Sequence, residues 1–206
     1  MKPLRLAAIV EGHGEVEAVP VLIRRIAAEL DPSLFLQVEP VLRTASSQLR
    51  KEGELERRVE YAARKLGGRG GILILIDCDW SSDACPKFDA PPLLERVCRV
   101  RPDMPISVVL ACQEYEAWFI ASAESLRGQR GLPIDLTSAP EPERIRGAKE
   151  WLSNRMPRTK PYTETTDQAA LTQIFDMAAA RRADSFDKCY REITGLLNRL
   201  RVKAAF

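Results

Sequence analysis

The sequence predicts an α/β fold: an open, mainly parallel four-stranded sheet flanked by helices, with a helical C-terminal part. Three observations point there. Four short apolar runs recur before residue 113. Stretches with helical periodicity separate them, giving the β-α-β alternation that builds parallel sheets with helices on both faces. After the fourth run the strand-like segments stop and only helical patterning remains.

Leu4–Val10 is apolar apart from Arg5, as suits a strand covered on both faces. From Glu15 to Leu30, apolar residues at 19, 22, 23, 26, 27 and 30 form one helical stripe, which Asp31-Pro32-Ser33 ends. Leu34–Leu42 alternates and reads as the second strand. Leu49 to Leu66 reads as one long charged helix, closed by Gly67-Gly68. Ile72–Ile76 is the third strand, Pro91 to Val100 a short helix, and Ile106–Ala111 the fourth strand. Glu114 to Leu126 reads as a helix, 127–143 as a proline-bearing loop, and 144–154, 167–180 and 184–201 as three further helices. Residues 1–126 therefore read as an α/β core and 127–206 as a helical extension packed on it, one compact domain overall.

The bulk properties are those of an ordinary globular protein, with 45% hydrophobic and 29% charged residues. A formal net charge of +2 gives no global footprint for nucleic acid, so any such surface must be a local patch. The five cysteines include no CxxC pair, which argues against a disulfide framework or zinc ribbon and for a reducing compartment. With no signal-peptide pattern and no long apolar run, a cytoplasmic protein without membrane contact is expected.

Two acidic signatures carry the chemistry. Glu11-Gly12-His13-Gly14-Glu15 follows the first strand, and Asp77-Cys78-Asp79 follows the third. Ligands bind at the carboxyl edge of an open parallel sheet. If the first and third strands are neighbours, Glu11 comes beside Asp77 and Asp79. Three converging carboxylates repel one another unless a cation neutralises them, and hard oxygen donors suit Mg²⁺ or Mn²⁺. Asp77 and Asp79, two apart, share a facing on extended backbone. The plainer alternatives are a solvent-facing Glu11 and an ordinary Asp-capped turn.

Gly12 and Gly14 permit a tight turn that could cradle a phosphate, although neither a Walker loop nor GxGxxG is present. Glu114 and Glu116 follow the fourth strand, where they could complete a metal shell or orient a water; an acidic helix start is the alternative. Asp83 reads as turn chemistry, and Trp118 and Phe119 as core. His13 is the sole histidine, so it could contact a phosphate but could not build a His-rich metal site or a Ser-His-Asp triad. Arg146, Lys149, Arg155, Arg158 and Lys160 cluster near Trp151 and Tyr162, as a nucleic-acid surface or a solvated helix face would. Lys149 and Lys160 are the expected phosphate contacts.

A Glu-Gly at the end of a first strand, followed by Asp-x-Asp at the end of a later one, resembles the Toprim fold of topoisomerases, bacterial primases, small ribonucleases and overcoming-lysogenization-defect nucleases. More narrowly, VEGHGEVEAVPVLI, LILIDCD, CQEYEAWFIA, GAKEWL and YTETTDQAAL are similar to a bacterial family called domain of unknown function 4276. Together they span about residues 8 to 171. The resemblance implies a Toprim-like, Rossmann-like core with Mg²⁺ held by Glu11, Asp77 and Asp79. In such proteins the Glu serves as acid/base or ligand. The resemblance also implies cleavage of DNA or RNA, often beside a partner ATPase in defence against phage. The 206 residues leave no room for a topoisomerase's tyrosine-bearing domain, and no primase-like basic channel is visible.

The leading expectation is thus a Mg²⁺-dependent Toprim-like nuclease. A second is a partner-dependent subunit without activity of its own, which the modest net charge favours. A third is a Mn²⁺-dependent nucleotide-sugar transferase, which also uses Asp-x-Asp but accounts less well for Glu11-Gly12.

Overall fold

The computed structural model describes residues 3–204. Its centre is a four-stranded parallel sheet, β1 (Leu4–Val10), β2 (Leu36–Arg43), β3 (Gly71–Cys78) and β4 (Ile106–Cys112), in the spatial order β2-β1-β3-β4. β1 and β3 are neighbours, so the two acidic signatures leave adjacent strands. The chain leaves β1 toward β2 on one side and returns to β3 on the other. That reversal is the switch point at which a cleft opens beyond the strand ends.

The helices are α1 (Glu15–Leu30), α2 (Ser46–Leu49), α3 (Glu54–Lys65), α4 (Pro86–Val100), α5 (Ala117–Ala121), α6 (Ala148–Ser153), α7 (Ala169–Ile174), α8 (Met177–Ala180) and α9 (Asp184–Ala204). Side-chain alternation along the strands divides the core in two. Leu6, Ala8, Val10, Leu73, Leu75 and Val109 face a layer made by α1, α9 and the short C-terminal helices. Ala7, Ile9, Ile72, Ile74, Ile76 and Leu110 face α3 and α4. Every residue of β3 is buried, which explains why its sequence is an apolar run rather than an alternation.

Several boundaries differ from the sequence expectation, each for a local reason. The expected helix 49–66 is broken into α2 and α3. Gly53, at φ +79°, takes the left-handed turn between them. The helix expected from Pro91 starts at Pro86, because Pro86 occupies the first turn and Asp89 accepts from the Cys85 N–H at 2.7 Å. The expected helix 114–126 is a turn, then α5, then a 3₁₀ segment Ala123–Leu126. Of 144–154, only Ala148–Ser153 is α-helical, and Gly147, at φ +74°, precedes it. The stretch 167–180 is interrupted where Asp176 caps α8 through the N–H groups of Ala178 and Ala179.

The C-terminal part is more intimate with the sheet than an extension. Ile193, Leu196 and Leu197 of α9 lie in the same apolar cluster as Leu73, Leu75 and Val109. An aromatic group of Tyr115, Trp118, Phe119, Phe175 and Phe186 joins α5, α9 and the segment between α7 and α8, with centroids 4.5–5.6 Å apart. Tilted and edge-on pairs of this kind add to simple area burial. Among the described residues, no helix is long and apolar enough to cross a membrane.

Phe186 is fully buried against Trp118 and Phe175. Phe186→Ala is therefore expected to cost about 3–5 kcal/mol, read from urea unfolding. A loss below about 1 kcal/mol would show that α9 does not hold the 115–119 segment in place.

Candidate functional site

All four parallel strands end at one edge, where the ends of β1, β3 and β4 and the segments after β1 and β4 supply acidic side chains of the site. Glu11 leaves the end of β1, and Glu15 opens α1. Asp77 is still within β3, on the α1–α9 side by alternation with Leu73 and Leu75. Beyond β4, Gln113 takes φ +63°, an unusual conformation for a residue with a side chain. The turn it makes leads directly into Glu114, Tyr115 and Glu116.

Glu15 is 2% exposed, and its Oε2 accepts from the N–H groups of Glu11 (2.9 Å) and Gly12 (3.1 Å). It thereby fixes the turn after β1. Asp77 is 8% exposed, and its Oδ1 accepts from the Tyr115 N–H at 2.9 Å, tying β3 to the segment after β4. Glu116 is fully buried. Its Oε1 accepts from the Tyr162 hydroxyl (2.7 Å) and from Gln168 Nε2 (3.1 Å), while its Oε2 has no partner. Glu11 Oε2 is likewise buried without a partner. An orphaned buried carboxylate oxygen costs the desolvation of a charged group.

Among the described residues, Lys149 is the cation that stands beside these acids. Lys149 Nζ lies 3.1 Å from Glu164 and 3.9 Å from Glu114. Glu114 also caps the start of α6 by accepting from the backbone N–H of Ala148 and of Lys149. Burial pushes Glu15 and Glu116 up to about 7. Burial, reinforced by the charges of Glu15 and Glu116, pushes Asp77 well above the usual carboxylate range. For Lys149, burial disfavours the ammonium, but the fields of Glu116 and Asp77 outweigh it and hold the proton firmly.

The fourth wall is the segment from Tyr162 to Gln168. It ends in a π-helical turn, Glu164–Gln168, a distortion that frequently marks functional sites. Asp167, 1% exposed, anchors it by accepting from Arg130 Nε and a second guanidinium nitrogen at 3.0 and 2.7 Å. Gly14 is where this wall meets the first loop. A Cβ there would lie 2.3 Å from Gln168 Oε1 and 2.5 Å from the Glu164 carbonyl. The second glycine of the motif thus serves close packing of the wall, a role the phosphate-cradle reading did not include.

The structure brings Glu11, Asp77, Glu114, Glu116 and Lys149 to this edge. Asp79 is exposed at the rim, because β3 ends at Cys78 and the chain there leaves the sheet. Gly12 is half-buried in the turn, and His13 is exposed beside it. Lys160, Arg146 and Arg158 are exposed, and Arg155 stacks on Trp151 at 3.5 Å. Among the described residues, no three acidic, histidine or cysteine side chains stand close enough to close a metal cage by themselves. In the sequence Glu15 reads only as the end of the first acidic signature and the start of the first helix, and Gln168 and Glu164 have no place in the site. The signal that held the last two was the stretch YTETTDQAAL.

A family model described as Domain of unknown function (DUF4276) matches residues 10–194. No curated protein matches the chain.

The raised acids set a pH dependence. Glu15 and Glu116 keep their protons to about pH 7 when folded but only to about 4.5 when unfolded. In that window the native state binds more protons, so stability falls as pH rises from about 4.5 to about 7 and stays low above it. The melting temperature should therefore drop between pH 5 and pH 8 in chelator. Glu116→Gln keeps an acceptor for Tyr162 and removes the charge. It should melt about 2–8 °C above the wild type at pH 8 and level with it at pH 5. A wild-type protein that is most stable at pH 8 would contradict this assignment.

Proposed function

The chain belongs to the DUF4276 family, and we propose that it is a Mg²⁺-dependent, Toprim-like phosphodiesterase acting on DNA or RNA. The observation that carries this reading is the excess of buried carboxylate at the sheet edge. Among the described residues, Glu11, Glu15, Asp77 and Glu116 face one lysine, Lys149, and two of their buried oxygens, Glu11 Oε2 and Glu116 Oε2, have no donor. A divalent cation is the partner that such a set calls for. The donors fit Mg²⁺ in kind, since all are hard carboxylate oxygens. The lack of a closed three-ligand cage also suits an ion that keeps several waters and completes its shell with substrate phosphates.

In this reading Asp77 and Glu11 would hold the cation through carboxylate oxygens, with Asp79, exposed outside the strand, reaching it only through water. When bound, Mg²⁺ polarises the phosphate and lowers the pKa of an attacking water. Glu116, poised near neutrality, is placed to take up and return a proton. Lys149 supplies the positive charge that meets a phosphate oxygen. Glu15 acts through the backbone, keeping Glu11 and Gly12 in position. Gly12 and His13, on the same turn, lie where a phosphodiester backbone would pass. Lys160, which is exposed, would add a further phosphate contact.

The excess of acid also supports a second reading. With few converging cations, the chain would bind nucleic acid weakly alone and would gain activity in complex with a partner such as an ATPase.

A cleavage assay separates the two. Single- and double-stranded DNA and RNA are incubated with the protein and Mg²⁺ or Mn²⁺, beside Asp77→Asn and Glu11→Gln proteins. The proposal expects metal-dependent cleavage that falls at least about 100-fold in both variants. Equal cleavage by variants and wild type would remove the site assignment. Absence of cleavage by folded wild-type protein would favour the partner-dependent reading.

A further inference from the structure

The segment from Asn154 to Pro161 holds Arg155, Arg158 and Lys160 and no acidic residue, so it carries three positive charges where the whole chain nets +2. All three cations are exposed. Among the described residues none of the three forms an ion pair, whereas the nearby Arg130, Arg144 and Lys149 do. Unpaired cations gathered on one segment make a local field that attracts anions. Both ends of the segment reach the acidic edge. Lys149 of α6, before it, lies against Glu164 and Glu114. Tyr162, directly after it, donates its hydroxyl to Glu116 at 2.7 Å.

The segment is braced, so its cations keep their place. Met156 is buried in the apolar cluster. The Lys160 N–H donates to the Pro157 carbonyl at 2.8 Å and closes a turn over Arg158 and Thr159. Pro157 packs on Gly131, where a Cβ would lie 3.1 Å from its Cδ, and the adjacent Arg130 holds Asp167. The Arg155 guanidinium lies 3.5 Å from the centre of the Trp151 ring and donates to the Trp151 carbonyl at 3.1 Å. A planar cation is thus fixed on an aromatic ring in an exposed position, a surface on which a nucleobase stacks. The bases of a duplex already stack on one another, whereas those of a single strand are open to such a contact. The acidic edge imposes the same choice. Asp77 is 8% exposed and Glu116 fully buried, so a phosphodiester must leave the surface to approach them. A flexible strand bends inward at little cost, while a stiff double helix has to be deformed.

We infer that residues 155–160 are the strand-binding element beside the acidic edge, and that the polynucleotide they take is single-stranded. Arg155, Arg158 and Lys160 meet phosphates, and one base stacks on the Arg155–Trp151 pair. From there the strand runs to Lys149 and the carboxylates. The inference rests on the phosphodiesterase reading and names its substrate class. DNA and RNA share this chemistry, so the choice between them falls to the arms of the test.

The test is fluorescence anisotropy with labelled oligothymidylate, oligouridylate and a mixed-sequence duplex, each of about 20 nucleotides per strand, longer than a typical single-strand site. The full chain is titrated in chelator, so that nothing is cut, over a series of salt concentrations. One or both single strands should bind at least tenfold more tightly than the duplex. In the triple variant Arg155→Gln, Arg158→Gln, Lys160→Gln, the slope of log K against log salt should shrink by about 2, for three lost phosphate contacts. Arg155→Lys keeps the charge and loses the planar stack, so it should keep the slope and bind about fivefold more weakly or worse. Equal or tighter binding of duplex, an unchanged slope in the folded triple variant, or displacement of the strand by polyglutamate at equal charge would overturn the inference. No binding of any strand would overturn it as well. The phosphodiesterase reading is decided separately by the cleavage assay, so duplex cleavage without single-strand preference would remove this inference and leave that reading standing.

Discussion

The structure is organised around an unfavourable act: the burial of three carboxylates and one oxygen of a fourth at the end of a parallel sheet, with Lys149 to answer them. A buried carboxylate is tolerated when it is hydrogen-bonded, paired or protonated. All three devices are in use here. Glu15 takes two backbone N–H groups, Asp77 takes one, and Glu116 takes a tyrosine and a glutamine. The remaining deficit shows as raised pKa values of Glu15 and Glu116 and as orphaned oxygens on Glu11 and Glu116. A protein that only needed a stable edge would fill this space with apolar side chains, which is commonly neutral or stabilising.

The rest of the fold holds that arrangement together. The strand order places β1 beside β3, so Glu11 and Asp77 leave adjacent strands. The aromatic group clamps the 115–119 segment between α5, α9 and the chain around Phe175, and so fixes the buried Glu116. Arg130 and Asp167 brace the Tyr162–Gln168 wall, and Gly14 lets that wall approach the first loop closely. The wall's two donors then reach the same oxygen of Glu116 and leave its other oxygen free.

The sheet was legible because apolar runs and helical stripes are local patterns, and the acidic residues at strand ends could be read from position alone. Glu11, Asp77, Glu114 and Glu116 follow from that position, and Lys149 from the basic cluster of residues 146–160. Breaks such as Gly53 and Gly147 escaped because a glycine within a periodic stretch does not announce its left-handed backbone. Tyr162, Glu164 and Gln168 reach the site across some fifty residues of separation from Glu116, and no spacing rule reports a contact of that range. Asp79 shares its sequence parity with Asp77, but parity governs facing only while the strand lasts, and β3 ends between them. The role of Gly14 was invisible for the opposite reason: what matters is the neighbour that a side chain would strike.

Calorimetry tests the proposed binding of a divalent cation at this carboxylate edge most directly. Mg²⁺ and Mn²⁺ would be titrated into the protein at pH 6.5 in buffers of different ionisation enthalpy. Part of the cluster holds protons at that pH, so binding should release about one proton per ion and do so far less in Asp77→Asn. Binding without proton release, or no binding at millimolar ion, would contradict the account.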